Sequence, residues 1–208
     1  FFNRFRQTAG PRCTRRFIDS MDLFFHAIAQ QAQDRASGSA PSLEEYVALR
    51  EDTSGCKPCF ALIEYAAGMD LPDHVAHHPT ITALEREANA CISWSNDLFS
   101  YNVEQARGDT HNMIAVIMRE DGRSLQEAVE YLGALCKLCI VHFEENRAML
   151  PSWGPEIDGE VDRYVLGLQD WMVGALHWSF DTARYFGDEG PAIKKHGVVT
   201  LLPRKSSS

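Results

Sequence analysis

The sequence predicts an all-α helical bundle of six or seven helices in a single domain. Three observations carry that prediction. Apolar residues recur at helical spacing along nearly the whole chain, and strand-like alternation is nearly absent. Two Ser-x-x-Glu capping boxes, Ser42-Leu43-Glu44-Glu45 and Ser124-Leu125-Gln126-Glu127, each open an apolar-periodic segment. The chain has 208 residues, enough for one domain with a substantial core, and no internal repeat.

The elements follow in order. Residues 16–35 read as a helix, ending in the Ser/Gly/Pro loop at 36–41. The first capping box starts a helix toward Arg50. Asp52-Thr53-Ser54-Gly55 interrupts it, because Thr, Ser and Gly loosen a helix interior. The helix resumes over 56–67 and stops at Gly68. A polar stretch with Pro72 and Pro79 leads into a long helix over 82–105, free of Pro and Gly and closed by Gly108. Residues 112–120 form a short helix, and the second box begins a helix reaching to about Leu150. Pro151 to Pro155 breaks the chain. Residues 157–186 read as one long final helix, with Gly167 and Gly174 as candidate bend points and Gly187 as its stop. The domain is expected over 1–203. The tail from Gly190 is expected to be loose, with 204–208 outside the domain.

Composition narrows the function classes. Apolar residues are 45% and charged residues 24%, ordinary for a globule, and the net charge of −9 disfavours nucleic acid as a partner. Arg nevertheless outnumbers Lys fifteen to five. Arg is the planar, bidentate phosphate binder, so a small phosphorylated ligand fits the chain. No apolar run reaches the ~18 residues of a membrane span. Six cysteines include two C-x-x-C pairs, Cys56/Cys59 and Cys136/Cys139, with 76 residues between Cys59 and Cys136, unlike the compact spacing of a zinc site. Buried reduced thiols of a cytoplasmic protein are the reading favoured here. The first residue is Phe1 rather than Met, which leaves an upstream targeting segment open. His74, His77 and His78 fall in the Pro-rich stretch and read as surface residues. Phe24 and Phe25 read as core aromatics.

Three constellations carry chemistry. Asn96, Ser100 and Glu104 stand at i, i+4 and i+8 on the long helix. Each four-residue step advances about 6 Å and rotates about 40°, so a carboxamide, a hydroxyl and a carboxylate form a row on one face. Such hard oxygens with one formal charge suit a Mg²⁺ ion completed by water and substrate phosphate. The same row also reads as an ordinary polar stripe, although Trp94, Phe99 and Tyr101 beside it argue for a packed helix. At the interrupted helix, Arg50 stands at the edge of a break whose exposed amides and carbonyls need partners. An ordinary kink gives the same pattern. At the end of the last helix, Arg184 and Tyr185 offer a forked donor and a hydroxyl, and Trp178 offers an aromatic face to a cation. Helix capping and core packing are the structural alternatives.

Taken together, these residues give the chain its resemblance to class I terpene synthases, most closely the basidiomycete fungal sesquiterpene synthases. Asn96-Asp97-Leu98-Phe99-Ser100-Tyr101-Asn102-Val103-Glu104 looks like the family's NSE metal motif. Arg50, Thr53 and Ser54 look like the diphosphate sensor, linker and effector of its helix break. Arg184-Tyr185 looks like its terminal Arg-Tyr pair, with Trp178 at the matching aromatic position. The stretches 95–112 and 177–187 and the ending Leu201-Leu202-Pro203 also look like the fungal subgroup. The likeness runs from about residue 15 to 203, which makes this domain the C-terminal portion of a cyclase helical bundle.

The resemblance implies Mg²⁺-dependent ionisation and cyclisation of farnesyl diphosphate to a sesquiterpene. Asn96, Ser100 and Glu104 would ligate one Mg²⁺; Arg50, Arg184 and Tyr185 would hold the diphosphate. The Ser54 carbonyl would be the effector and Thr53 the linker. It further implies a monomer or homodimer, and early closure of a large ring as in protoilludene-type synthases. Two departures stand out. No two consecutive aspartates occur, so the family's aspartate-rich motif is absent. This implies a chain that starts after that motif, lacks the first helices and turns over little substrate alone. Val103 stands where many relatives carry Lys. The alternatives are a prenyl diphosphate chain-elongating synthase, which would carry a second aspartate-rich motif at 96–104, and a non-catalytic helical zinc or interaction protein.

Overall fold

The fold is seen in a computed structural model that describes residues 2–38 and 40–204. The described residues form helices joined by short connections: α1 (Phe2–Thr8), α2 (Pro11–Ser37), α3 (Leu43–Thr53), α4 (Cys56–Ala66), α5 (Asp73–Ala76), α6 (Pro79–Arg107), α7 (Met113–Asp121), α8 (Leu125–Ala148), α9 (Pro155–Asp181), α10 (Ala183–Phe186) and α11 (Gly190–His196). Helix α6 is the central post. It packs against α8 and α9 along its length and against α3, α4 and α7 at its flanks.

Local sequence explains the boundaries. Both capping boxes form: Ser42 Oγ accepts from Glu45 N and Ser124 Oγ from Glu127 N, each glutamate answering the cap's own amide. Helix α6 starts three residues earlier than its sequence pattern. His78 caps it by accepting from Thr80 N at 3.2 Å, and Pro79 takes the first helical position. The same imidazole stands edge-on to Trp153 at 5.2 Å.

Three apolar clusters hold the bundle. Phe60, Leu71, Ile81, Leu84, Phe143 and Leu168 join α4, α6, α8 and α9. Tyr46, Met113, Ile114, Ile117 and Leu132 join α3, α7 and α8, with Trp94 and Tyr101 of α6 packed on them. Phe5, Cys13, Phe17 and Ala61 seat α1 and α2 on α4. A buried ion pair locks the last contact. Arg16 grips both carboxylate oxygens of Glu64, at 2.8 and 2.6 Å, and Glu64 also accepts from Leu71 N.

Three expectations are corrected. Phe25 is 60% exposed, because residue 24 rather than 25 falls on the face α2 turns toward the bundle. The final helix is not continuous to 186: it ends at Asp181, and Thr182 turns extended to start α10. Helix α9 runs unbroken through both candidate bend points. A Cβ at Gly167 would lie 2.3 Å from Ile63 Cγ2, so this glycine lets α9 close on α4, while Gly174 has open space around it. The tail from Gly190 is ordered, too. Residues 190–196 form α11, and beyond it Asn102 holds Thr200 O and Leu202 N while Gln105 donates to Leu202 O. Ser39 and residues 205–208 lie outside the described residues, so the loop at 36–41 is seen without Ser39 and the expected loose end is seen only at Arg204.

Two outcomes follow from this packing. Gly167→Val should destabilise the fold by about 1–3 kcal/mol through overpacking, whereas Gly174→Ala should stabilise it by up to ~1 kcal/mol through helix propensity; urea unfolding of both variants checks the contrast. The second concerns Glu85, whose carboxylate accepts from the buried Tyr164 hydroxyl at 2.5 Å. Burial outweighs that bond and lifts the Glu85 carboxyl from 4.5 to about 7. The folded state therefore binds this proton more tightly than the unfolded state. The resulting stabilisation is full below about pH 4.5 and is lost as pH rises through 7, amounting to about 3 kcal/mol. Glu85→Gln should flatten that part of the stability–pH curve.

Candidate active site

The interrupted helix places the first group. Helix α3 ends at Thr53, Gly55 adopts φ 73°, and α4 begins at Cys56. That left-handed turn is where a side chain would be strained, which is why glycine stands there. The turn is pinned from both sides. Asn89 Nδ2 of α6 donates to Glu51 O at 2.7 Å. Ser54 Oγ donates to Glu51 O and accepts from Cys56 N. Thr53 Oγ1 is buried and has no hydrogen-bond partner.

Arg50, one turn before the break, is buried against α6. Its Nε and Nη2 donate to Asp97 Oδ1 at 3.0 and 2.8 Å, and Nη2 also reaches Asn96 Oδ1 at 2.9 Å and Ser93 O at 3.2 Å. Nη1 takes no part in these bonds. Burial disfavours the Arg50 charge, but the neighbouring Asp97 more than offsets it and raises the guanidinium's pKa. Asp97 is 3% exposed and also accepts from Tyr46 Oη at 2.5 Å and Met113 N at 3.2 Å. Burial, then the Asp97 charge, pushes the Tyr46 phenol well above its usual range.

The oxygen row on α6 exists as the spacing predicts, and its members differ in setting. Asn96 bridges two walls: its Oδ1 accepts from Arg50 and its Nδ2 donates to Tyr185 Oη at 2.6 Å. Ser100 is buried and Glu104 half-buried. Asn112, just before α7, donates from Nδ2 to Glu104 Oε2 at 2.9 Å and to Ser100 Oγ at 3.4 Å. Burial raises the Glu104 carboxyl above its ordinary value, against the lowering effect of the Asn112 and Ser100 hydrogen bonds.

The third group depends on the turn at Thr182. Its hydroxyl caps α10 by accepting from Arg184 N, and this turn swings Tyr185 back toward α6. The Arg184 guanidinium lies over the Tyr185 ring, 5.4 Å from its centroid, and Trp178 stands edge-on to that ring at 5.9 Å. Burial raises the Tyr185 phenol, with Arg184 and the Asn96 bond acting the other way.

A cavity of about 1170 Å³ joins these groups. Arg50, Thr53, Ser54, Asn96, Trp178, Arg184 and Tyr185 all line it, beside Phe60, Ile63, Ile92, Leu166 and Trp171. Ser100 and Glu104 are not part of that lining; they continue the row along α6, away from the break. Asp97, Tyr46 and Asn112 are the residues sequence spacing missed. Asp97 stands inside the 96–104 run, but it faces α3 and α7 rather than the row.

The cysteine pairs do not converge. Cys56 and Cys59 open α4 at the cavity, whereas Cys136 and Cys139 lie on α8, and all six cysteines are free. Burial pushes the Cys56 thiol up to about 11 and the Cys136 thiol to about 12, so both stay protonated. Among the described residues, no group of three or more His, Cys, Asp or Glu side chains is arranged to hold a metal. No described helix is long and apolar enough to cross a membrane.

Comparison with known proteins adds four findings. Sesquiterpene synthase Agr1 of Cyclocybe aegerita is 54% identical over 205 residues, covering 99% of this chain and 59% of that protein. Alpha-muurolene synthase of Coprinopsis cinerea is 55% identical, covering 97% of this chain and 48% of that protein. The crystal structure of germacradien-4-ol synthase from Streptomyces citricolor superposes with a TM-score of 0.76 at 26% identity, covering 86% of this chain and 59% of that one. The chain therefore spans only about half to three-fifths of the length of the relatives it matches. The family profile described as terpene synthase family 2, C-terminal metal binding, matches residues 1–140, and the chain accordingly belongs to the terpene synthases.

Proposed function

We propose that the whole protein is a Mg²⁺-dependent sesquiterpene cyclase that ionises farnesyl diphosphate, closes the resulting allylic cation into a ring, and releases diphosphate. One observation carries this reading. The helix break, the head of the oxygen row and the Arg184–Tyr185 pair, separated by up to 135 residues of sequence from Arg50 to Tyr185, meet around one cavity with a polar end and an apolar remainder. The family relatives named as sesquiterpene synthases support the same substrate class.

The donor set fits the metal. A carboxamide, a hydroxyl and a carboxylate are hard oxygen ligands, and only one of them carries charge, which leaves room for phosphate oxygens in the shell. Asn96, Ser100 and Glu104 would hold the ion, and Mg²⁺ bound there supplies Lewis acidity toward the leaving diphosphate.

The remaining chemistry belongs to the chain. Arg50 presents Nη1, and Arg184 and Tyr185 add a guanidinium and a hydroxyl, so negative charge gathering on the departing diphosphate meets fixed donors. Thr53 and Ser54 line the same space. The aromatic Trp178 and Trp171 and the aliphatic Ile63, Ile92 and Leu166 line the rest of the cavity. The two indole rings offer faces that attract a cation. Burial holds Cys56 and Cys59 as thiols rather than the more nucleophilic thiolates.

Calorimetry tests the polar end. The chain should bind inorganic diphosphate only when Mg²⁺ is present, and Glu104→Ala should weaken that binding at least tenfold. Equal binding without the metal, or by the variant, would overturn the metal assignment. Products of the whole protein test the apolar part. A cyclic sesquiterpene hydrocarbon from farnesyl diphosphate is expected; a lengthened prenyl diphosphate on adding isopentenyl diphosphate would identify a chain-elongating synthase instead.

A further inference from the structure

We infer that Asn112, which lies outside the oxygen row, is the positioning residue that sets Ser100 and Glu104 for the metal. The inference rests on the reading of Ser100 and Glu104 as ligands and adds a residue that reading does not use.

Asn112 has 0% exposure, and every polar atom of its side chain is engaged. Oδ1 accepts from Ile114 N at 2.9 Å and thereby caps α7. Since that partner is an N–H, Oδ1 must be the acceptor, which fixes the amide's orientation. Nδ2 then faces α6 and donates to Asp97 O at 2.7 Å, Glu104 Oε2 at 2.9 Å and Ser100 Oγ at 3.4 Å. One amide thus spans two turns of α6. Its bond to the Asp97 carbonyl anchors it to the helix, and its bonds to Ser100 and Glu104 orient both side chains against that anchor. A free glutamate on a helix samples several rotamers, and a metal would have to order it on binding. Here the ordering is supplied by the fold. Groups that hold metal ligands in this way contribute ~10–100-fold to metal affinity.

The two ends of the amide do different work, so they can be separated. Serine is as good a helix N-cap as asparagine but is too short to reach Glu104. Asn112→Ser should keep the α7 cap and lose the ligand contacts, whereas Asn112→Ala should lose both. Two quantities are measured for each: the melting temperature by circular dichroism, and Mn²⁺ affinity in the presence of inorganic diphosphate by paramagnetic resonance of the free ion. The Ser variant should melt within a few degrees of the wild type yet bind Mn²⁺ ~10–100-fold more weakly. The Ala variant should be impaired in both. If Asn112→Ser loses its helical signal, Asn112→Thr, which keeps the cap and refills more of the volume, is read in its place.

Wild-type Mn²⁺ affinity in the Ser variant, with loss confined to Ala, would show that Asn112 is only a cap and would overturn the proposal. Glu104→Ala run in parallel separates the two levels. If it weakens Mn²⁺ binding and Asn112→Ser does not, the positioning role alone fails. If neither changes Mn²⁺ binding, or the wild type takes up none, the ligand assignment fails and the positioning role with it.

Discussion

The buried pairing of Arg50 with Asp97 is the constraint on which the rest of the site depends. Neither charge could stay in the interior alone: removing one partner from such a pair costs about 3–5 kcal/mol, because the other is left uncompensated. The pair is completed by Tyr46 Oη and Met113 N, so Asp97 has donors from α3 and from the start of α7 as well as from Arg50. Three helices are therefore fixed relative to one another at a single carboxylate. Helix α3 can stop at Thr53 and restart at Cys56 without the chain drifting, because its last turn is tied to α6 through Arg50 on one face and through the Asn89–Glu51 bond on another. The break is pinned, and its unpartnered Thr53 hydroxyl is buried in the wall of the cavity that the residue lines.

From that anchor the site is built outward by shared atoms. Asn96 stands one residue before Asp97 and accepts from the same Arg50 nitrogen, while its amide nitrogen donates to Tyr185. The break, the oxygen row and the C-terminal pair are thus linked through one carboxamide. A ligand that draws on Asn96 Oδ1 competes with Arg50 for it, and a ligand that draws on Tyr185 or Arg50 alters the partners left to Asn96. Metal and anion recognition are coupled here by geometry, since the groups assigned to each already hydrogen-bond one another. The chain's net charge of −9 does not oppose this, because the cavity lining carries Arg50, Arg163 and Arg184 against the single carboxylate of Asp170.

What the sequence could disclose follows from how local each cause is. The capping boxes at Ser42 and Ser124, the break at 53–55 and the row at 96, 100 and 104 are set by residues within one or two turns, and each appears where its pattern places it. The turn at Thr182 was hidden because Asp181-Thr182-Ala183 carries no Gly or Pro; it exists because Tyr185 is drawn to Asn96 across the cavity. The same holds for the C-terminal segment, whose order comes from Asn102 and Gln105 of α6, about a hundred residues away. Gly167 reads as a bend in isolation and is a close approach in the fold, since only the position of Ile63 reveals why a side chain is excluded. Asp97 and Asn112 were invisible for a related reason: their role is fixed by which helices face them, which a one-dimensional spacing does not encode.

The oxygen row shows why its neutral members matter. Three carboxylates stacked along one helix face would repel one another and would need a cation merely to stay folded. With a carboxamide, a hydroxyl and one carboxylate, the unoccupied row finds its partners within the protein: the Asn112 amide donates to Ser100 and Glu104, the Tyr185 hydroxyl accepts from Asn96, and Arg50, paired with Asp97, donates to Asn96. The fold can therefore be complete before any metal arrives. The cost is weak intrinsic attraction for a divalent ion, whose second positive charge finds no protein partner in the row. Diphosphate oxygens must supply that missing negative charge, and the guanidiniums of Arg50 and Arg184 lie at the same end of the cavity to hold it. A row poor in charge and a cavity end that adds Arg184 to the Asp97-paired Arg50 are two parts of one electrostatic arrangement, and the diphosphate with its metal engages both.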